Sequence, residues 1–144
     1  MWLQRSLLVD THRRGFVEVT AAVAAIVEEA RVATGLCHLF LRHTSASLCI
    51  TENADPEVQH DLERFALRLA PDGDPAFRHV AEGPDDMPAH VRTLFAGHET
   101  TVPVRAGRLG LGTWQGIYVW EHRHAVHRRE IIVTVQGESA PRNI

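Results

Sequence analysis

The chain has 144 residues, 44% hydrophobic and 23% charged, with a formal net charge of −3. That is ordinary globular composition for one domain, and it excludes a disordered tail, a collagen-like fibre and a disulfide scaffold. All fifteen basic side chains are arginine, so Schiff-base chemistry on the chain's own lysine, pyridoxal phosphate linkage and a P-loop lysine are excluded.

Leu3 to Asp10 reads as a strand, Thr11–Gly15 as a turn, and Phe16–Val19 as a returning strand. Thr20 is placed to cap a helix running to about Thr34, with Gly35 as its stop. Two strands follow, Leu36–Arg42 and Ser47–Thr51, joined through His43, Thr44, Ser45 and Ala46. Asp55-Pro56 starts a second helix, an N-cap followed by proline at the first helical position. Val58, Leu62, Phe65 and Leu69 recur along it at helical spacing. Residues 71–85 are rich in Pro, Gly and Asp and form a loop. A short third helix covers about Met87 to Ala96. The last third is β: Thr100–Val104, Leu109–Leu111, Trp114–Glu121 and Glu130–Gln136. The order ββ-α-ββ-αα-βββ, with room for a fourth terminal strand, predicts a single α+β domain over residues 1–144 with a mostly antiparallel sheet.

Cys37 and Cys49 sit in apolar runs and read as buried reduced thiols. The first fourteen residues carry charges and lack an apolar signal core, and no apolar run approaches 18 residues. A cytoplasmic protein with no membrane partner is expected. The negative net charge provides no global basic footprint for nucleic acid, and none is expected as a partner.

The charges are unevenly placed. Glu52 to Asp86 holds ten acids and three arginines, whereas Thr101 to the end holds three acids and six arginines. One part suits a cation and the other an anion. Ten histidines stand out beside a single Tyr.

Four segments carry candidate chemistry. His43-Thr44-Ser45-Ala46-Ser47 offers a histidine and hydroxyls at a strand end, suited to an oxyanion or to bonding its own turn. Glu52-Asn53-Ala54-Asp55 sets a carboxylate and an amide beside a helix start, for a metal, a polar substrate or an exposed turn. His79 to His90 places two histidines and three carboxylates (Glu82, Asp85 and Asp86) within twelve residues. Asp86 and His90 are four apart and share a helix face. His nitrogen with carboxylate oxygen suits Zn²⁺, Mn²⁺ or Fe²⁺; an N-cap aspartate beside an exposed histidine is the alternative. In the fourth segment, Gly107 to Gly116, Trp114 and Gln115 can wall a planar ligand or belong to a core strand. The Gly110-x-Gly112 spacing lacks the strand-to-helix setting of a dinucleotide site.

These four motifs, with Gly112-Thr113-Trp114-Gln115-Gly116-Ile117-Tyr118 closing the series, occur in an order and spacing that resemble the YjbQ family, often labelled secondary thiamine-phosphate synthase. The resemblance spans nearly the whole chain. It implies a YjbQ-like α+β fold, a homotrimer with a polar site near the subunit boundary, a bound divalent metal ion (Mg or Zn) and a small phosphorylated substrate. The family's polar positions fall on His43, Glu52, Asn53, Asp55, His79, Glu82, Asp85, Asp86, His90, Trp114, Gln115, Glu121 and Arg128.

On that resemblance the expected metal ligands are His43, His79, Asp86 and His90. His43, Glu52, Asp55 and Glu121 are the expected catalytic groups. Ser45, Asn53, Trp114, Gln115 and Arg128 are the expected substrate and phosphate contacts. The implied reaction joins a pyrimidine-methyl diphosphate to a thiazole phosphate and releases pyrophosphate. A metal-dependent hydrolase of a small phosphate or ester, and a non-enzymatic metal- or metabolite-binding trimer, are the alternatives. The role of the His122–Arg129 hairpin is left open.

Overall fold

A computed structural model describes residues 1–141. The elements are β1 (Trp2–Thr11), β2 (Gly15–Glu18), α1 (Thr20–Ala30), β3 (Val32–Leu41), β4 (Ala46–Glu52), α2 (Pro56–Leu69) and α3 (Asp86–Ala96), then β5 (Glu99–Arg105), β6 (Arg108–Leu109), β7 (Gln115–Glu121) and β8 (His127–Ser139). The fourth terminal strand is present as the two-residue β6. Strands β1-β8-β3-β5-β6 form one sheet and β2-β7-β4 a second, with antiparallel pairing throughout. Among the described residues no helix is long and apolar enough to cross a membrane.

Alternation along the strands builds one core. Leu39, Leu41, Val102, Ile131, Val133 and Val135 from the larger sheet meet Leu48, Ile117 and Val119 from the smaller. Helix α1 adds Val23, Val27 and Ala30 to the same cluster. Full burial of each such aliphatic side chain contributes about 1.5–3 kcal/mol. Cys37 lies in this core and Cys49 is partly buried; both are free thiols. Burial pushes their pKa values up to about 11 and about 12.

The first helix ends earlier than its sequence suggests. Thr20 is the first helical residue rather than the cap, and its hydroxyl donates to Glu18 Oε2 at 2.8 Å while accepting from the Ile117 N–H at 2.9 Å. The chain leaves the helix at Arg31, which adopts the left-handed conformation (φ 54°). Gly35 is therefore not a helix stop. It lies inside β3 opposite Gly137 of β8, where an added Cβ would sit 2.0 Å from the Gln136 carbonyl oxygen. Two backbones approach here as only paired glycines allow. Gly35→Ala is expected to force the central strands apart and to cost about 3 kcal/mol, read as a lower urea midpoint.

Helix α2 starts as its sequence dictates: Asp55 Oδ1 accepts from the Glu57 N–H at 3.0 Å, and Pro56 takes the first position. Helices α2 and α3 meet the smaller sheet through polar groups. Glu63 of α2 accepts from Trp120 Nε1 (2.5 Å) and from Arg92 Nη1 of α3 (3.0 Å). Beside them the buried Ser47 hydroxyl and His122 Nε2 lie 2.7 Å apart.

Candidate metal centre

The acidic loop and α3 bring three side chains to one point. Asp86, in the first turn of α3, is 5% exposed. Its Oδ2 lies 2.7 Å from His79 Nε2 and 3.0 Å from His90 Nε2. One ligand atom from each of the three residues falls within 4.8 Å of the others. The four-residue spacing of Asp86 and His90 puts them on one face. His79 reaches back from the loop, whose tight turn uses Gly83 at φ +104°. A cleft of about 420 Å³ opens beside His79, bounded by Phe77, Val80, Pro84 and Met87.

The other oxygen of Asp86 is held by Arg123, with Nη1 to Oδ1 at 3.0 Å. Arg123 Nε also reaches Asp85 Oδ2 at 3.2 Å, and the His124 N–H donates to that same oxygen at 3.0 Å. Asp85 stands at the N-cap position of α3, but its carboxylate serves the hairpin instead of capping the helix. Burial by itself would raise the pKa of Asp86; the hydrogen bond with His79 and the charges of His90 and Arg123 more than offset it, and the carboxyl stays below its usual range. Asp85 behaves alike, with the His124 N–H and Arg123 overcoming burial.

The proton arrangement on His90 bears directly on what the cluster can bind. His90 Nδ1 lies 2.8 Å from the Thr44 carbonyl oxygen, which can only accept, so Nδ1 carries the hydrogen. In the neutral ring Nε2 then has a lone pair aimed at Asp86 Oδ2. Two lone pairs meet there unless a proton or a metal ion lies between them. Fixing a histidine tautomer through a backbone carbonyl is the usual support of a metal-ligating imidazole.

His43 is not brought into this group. Its loop touches the cluster through Thr44, but its own Nε2 accepts the Glu130 N–H at 2.8 Å. Burial first, and then Arg129, lower its pKa. Ser45 and Glu121 lie inward. Glu121 is fully buried, and its two oxygens take Arg129 Nε (2.8 Å), Arg129 Nη2 (2.5 Å) and the Thr11 hydroxyl (2.6 Å). Ser45 Oγ accepts from the same Arg129 at 3.0 Å. These contacts overcome the effect of burial and hold the Glu121 carboxyl low. Its position is that of a buried ion pair with no surface toward a ligand. Arg129→Met leaves that carboxylate buried and unpaired and is expected to cost about 3–5 kcal/mol. Adding Glu121→Gln to the same chain recovers part of the loss, read by urea unfolding of the single and double variants.

Arg128 and Arg129 show the reach of strand alternation. Arg129 turns into the core, while Arg128 faces out and pairs with Asp10 at 3.0 Å. The sequence pointed to Arg128; the arginine that reaches the His79–Asp86–His90 cluster is Arg123, which only the run of acids facing a basic hairpin could have suggested.

The remaining predicted contacts gather at the opposite end of the smaller sheet. Ala46 pairs with Glu121, and Glu52 with Gln115, six positions along β4, a separation of about 20 Å. Glu52 Oε2 accepts from the N–H groups of Ala54 (3.1 Å) and Asp55 (2.8 Å), Asp55 caps α2, and Gln115 Oε1 accepts from the Gly112 N–H at 2.8 Å. The Asn53 N–H donates to the Trp114 carbonyl at 3.1 Å. Trp114 itself is 63% exposed, so it is not the core strand residue its composition allows.

Residues 5–138 match the family described as UPF0047 protein YjbQ-like. The UPF0047 protein sll1880 of Synechocystis is 47% identical over 135 residues, covering 94% of this chain and 92% of the relative. The UPF0047 protein YjbQ of Escherichia coli O157:H7 is 47% identical over 139 residues, covering 96% and 100%. Among solved structures, a YbjQ-like protein of unknown function from Sulfolobus solfataricus superposes with a TM-score of 0.88 at 27% identity, covering 96% of this chain and 99% of that one. The conserved hypothetical protein TT1486 from Thermus thermophilus gives 0.80 at 36% identity, covering 92% and 99%. The α+β domain described here therefore belongs to the YjbQ-like UPF0047 family.

Proposed function

We propose that the protein binds a divalent metal ion at His79, Asp86 and His90 and uses this centre on a small phosphorylated molecule. The observation that carries the reading is the pair of His90 contacts: Nδ1 on the Thr44 carbonyl at 2.8 Å and Nε2 on Asp86 Oδ2 at 3.0 Å. They leave a lone pair and a carboxylate oxygen facing one point. Two imidazoles and one carboxylate suit Zn²⁺ or Mn²⁺, and Mg²⁺ less well. Three protein ligands leave positions open, as in catalytic rather than structural sites.

Such an ion supplies charge neutralisation for a phosphate leaving group. The chain's own residues do the rest. Arg123 orients Asp86 through Oδ1 and brings a fixed positive charge beside the site. The cleft beside His79 provides room for the organic part of a substrate. The resemblance to secondary thiamine-phosphate synthases suggests the reaction. A thiazole nitrogen attacks the pyrimidine methylene carbon; the new C–N bond forms as the C–O bond to diphosphate breaks, and the electron pair leaves with pyrophosphate. No covalent nucleophile on the protein is needed.

The exposed Trp114 turn, about 20 Å along the sheet, joins this site if copies associate as the homotrimer that the resemblance implies, one copy's Trp114 end meeting another's His79 cluster. Light scattering on the eluting protein reads the assembly. The functional test is metal analysis of untreated protein, followed by pyrophosphate release from the pyrimidine and thiazole substrates. A stoichiometric ion and turnover lost in His90→Ala are expected. Metal bound without turnover on these substrates, or on phosphate and ester panels, leaves a sequestering role. Absence of metal binding overturns the reading.

A further inference from the structure

The smaller sheet has an open edge with a trough beside it. β2 is the end strand in the order β2-β7-β4. The Val19 N–H donates to the Ile117 carbonyl at 2.8 Å, so this pair, next along the β2–β7 register, is a hydrogen-bonded one. Such pairs alternate along an antiparallel ladder. Val17 and Gly15 therefore bond to Val119 and Glu121, while Phe16 and Glu18 turn their N–H and C=O groups away from β7. Among the described residues no backbone group of a neighbouring element bonds to them.

A trough of about 740 Å³ runs along this edge. One wall is Gly15, Phe16 and Val17 in succession. Side chains alternate across a strand, so three successive residues border one cavity where the strand backbone itself is the wall. The facing wall is Pro56, Gln59, His60 and Glu63, the i, i+3, i+4 and i+7 positions of one face of α2. A hollow of about 310 Å³ shares Phe16, Pro56 and Gln59 with the trough and extends it to Glu18 and Asp55.

The two ends differ in charge. His12 and Arg13 stand at the turn before β2, exposed and without an ion-pair partner among the described residues. The exposed Glu18 and Asp55 stand at the other end. Glu63, between them, is already held by Trp120 and Arg92.

We infer that β2 receives a strand from a partner protein. An extended segment adds antiparallel to the open edge, with a basic residue toward Glu18 and Asp55 and, on its C-terminal side, an acidic residue toward Arg13. Pairing with Phe16 and Glu18 supplies the affinity, and the charged ends set the direction. The site shares no residue with the His79–Asp86–His90 cluster.

The test uses acetylated pentapeptide amides Lys-Thr-X-Thr-Glu, with X as Val, Leu, Phe or Tyr, on the full chain. Calorimetry reads affinity, and amide hydrogen exchange followed by NMR reads the edge. Saturable binding of at least one peptide is expected, slowing exchange at the Phe16 and Glu18 amides by about tenfold or more while Val17, already paired, changes little. N-methylation at X and at the second Thr blocks N–H groups on opposite edges of the peptide; one is expected to weaken binding about tenfold and the other little. Arg13→Glu, on an exposed side chain, is expected to weaken binding about fivefold, and to have little effect once the peptide's Glu is replaced by Gln. No saturable binding, equal effects of the two methylations, or an Arg13→Glu loss that persists with the Gln peptide overturns the inference. So do Phe16 and Glu18 amides already protected without peptide; loss of that protection on dilution would assign the edge to a second copy of the chain.

Discussion

Replacing Asp86 by Asn is expected to weaken zinc binding by more than roughly 100-fold, because it removes the anionic ligand shared by His79 and His90 while keeping the volume of the side chain. The amide also leaves Arg123 Nη1 facing a neutral group, while Arg123 Nε keeps its pairing with Asp85. Arg123→Met tests the supporting role separately. It leaves all three ligands in place, frees Asp86 Oδ1 and is expected to weaken the metal by about 10–100-fold. Competition dialysis against a chelator of known affinity reads both. Because zinc needs neutral imidazoles, binding by the unaltered protein should weaken in acid. Equal, small effects of both substitutions would place the ion elsewhere.

Stability is expected to fall by several kcal/mol as the pH drops from about 6.5 toward 4, and His122 should be the main cause. Burial, reinforced by Arg92, Arg14 and Arg129, pushes its pKa down to about 3. The unfolded chain takes up a proton near 6.5 that the folded chain refuses. The unfolded state thus binds more protons between those values, and stability rises with pH there at up to about 1.4 kcal/mol per unit. The contribution is complete above about 6.5 and is lost as the pH falls toward about 3. His43 shifts in the same direction and adds a smaller slope. His122→Gln is expected to be less stable at pH 7.5 by about 1–3 kcal/mol, since the Ser47 hydroxyl loses its partner. Its urea midpoint should nevertheless change much less between pH 6.5 and 4.5 than that of the unaltered chain. An unchanged slope would show that other groups set the acid limit.

Much of the fold was legible because local chemistry and tertiary structure agree. Asp55-Pro56 starts α2 by capping geometry alone, and the alternating valines and isoleucines of β7 and β8 mark strands whatever they pair with. The absence of lysine and the four motifs likewise needed no coordinates to exclude some chemistries and to point to the family. Where the reading failed, long-range pairing had overruled a local rule. Gly35 looks like a helix stop, yet it is required by Gly137, a hundred residues away in β8.

The candidate site divides along the same line. The sequence by itself determined that Asp86 and His90 share a face, since that is a property of one helical turn, and that acids and arginines are concentrated in different segments. Only the tertiary structure decided which of ten histidines meet. His79 swings in from a loop, whereas His43 is drawn onto the backbone of β8. Strand alternation turned Arg129, not Arg128, inward to Glu121, and the hairpin between β7 and β8 carried Arg123 onto Asp86. Periodicity specifies the face a residue occupies; the partner it finds across that face depends on how the sheets and helices pack.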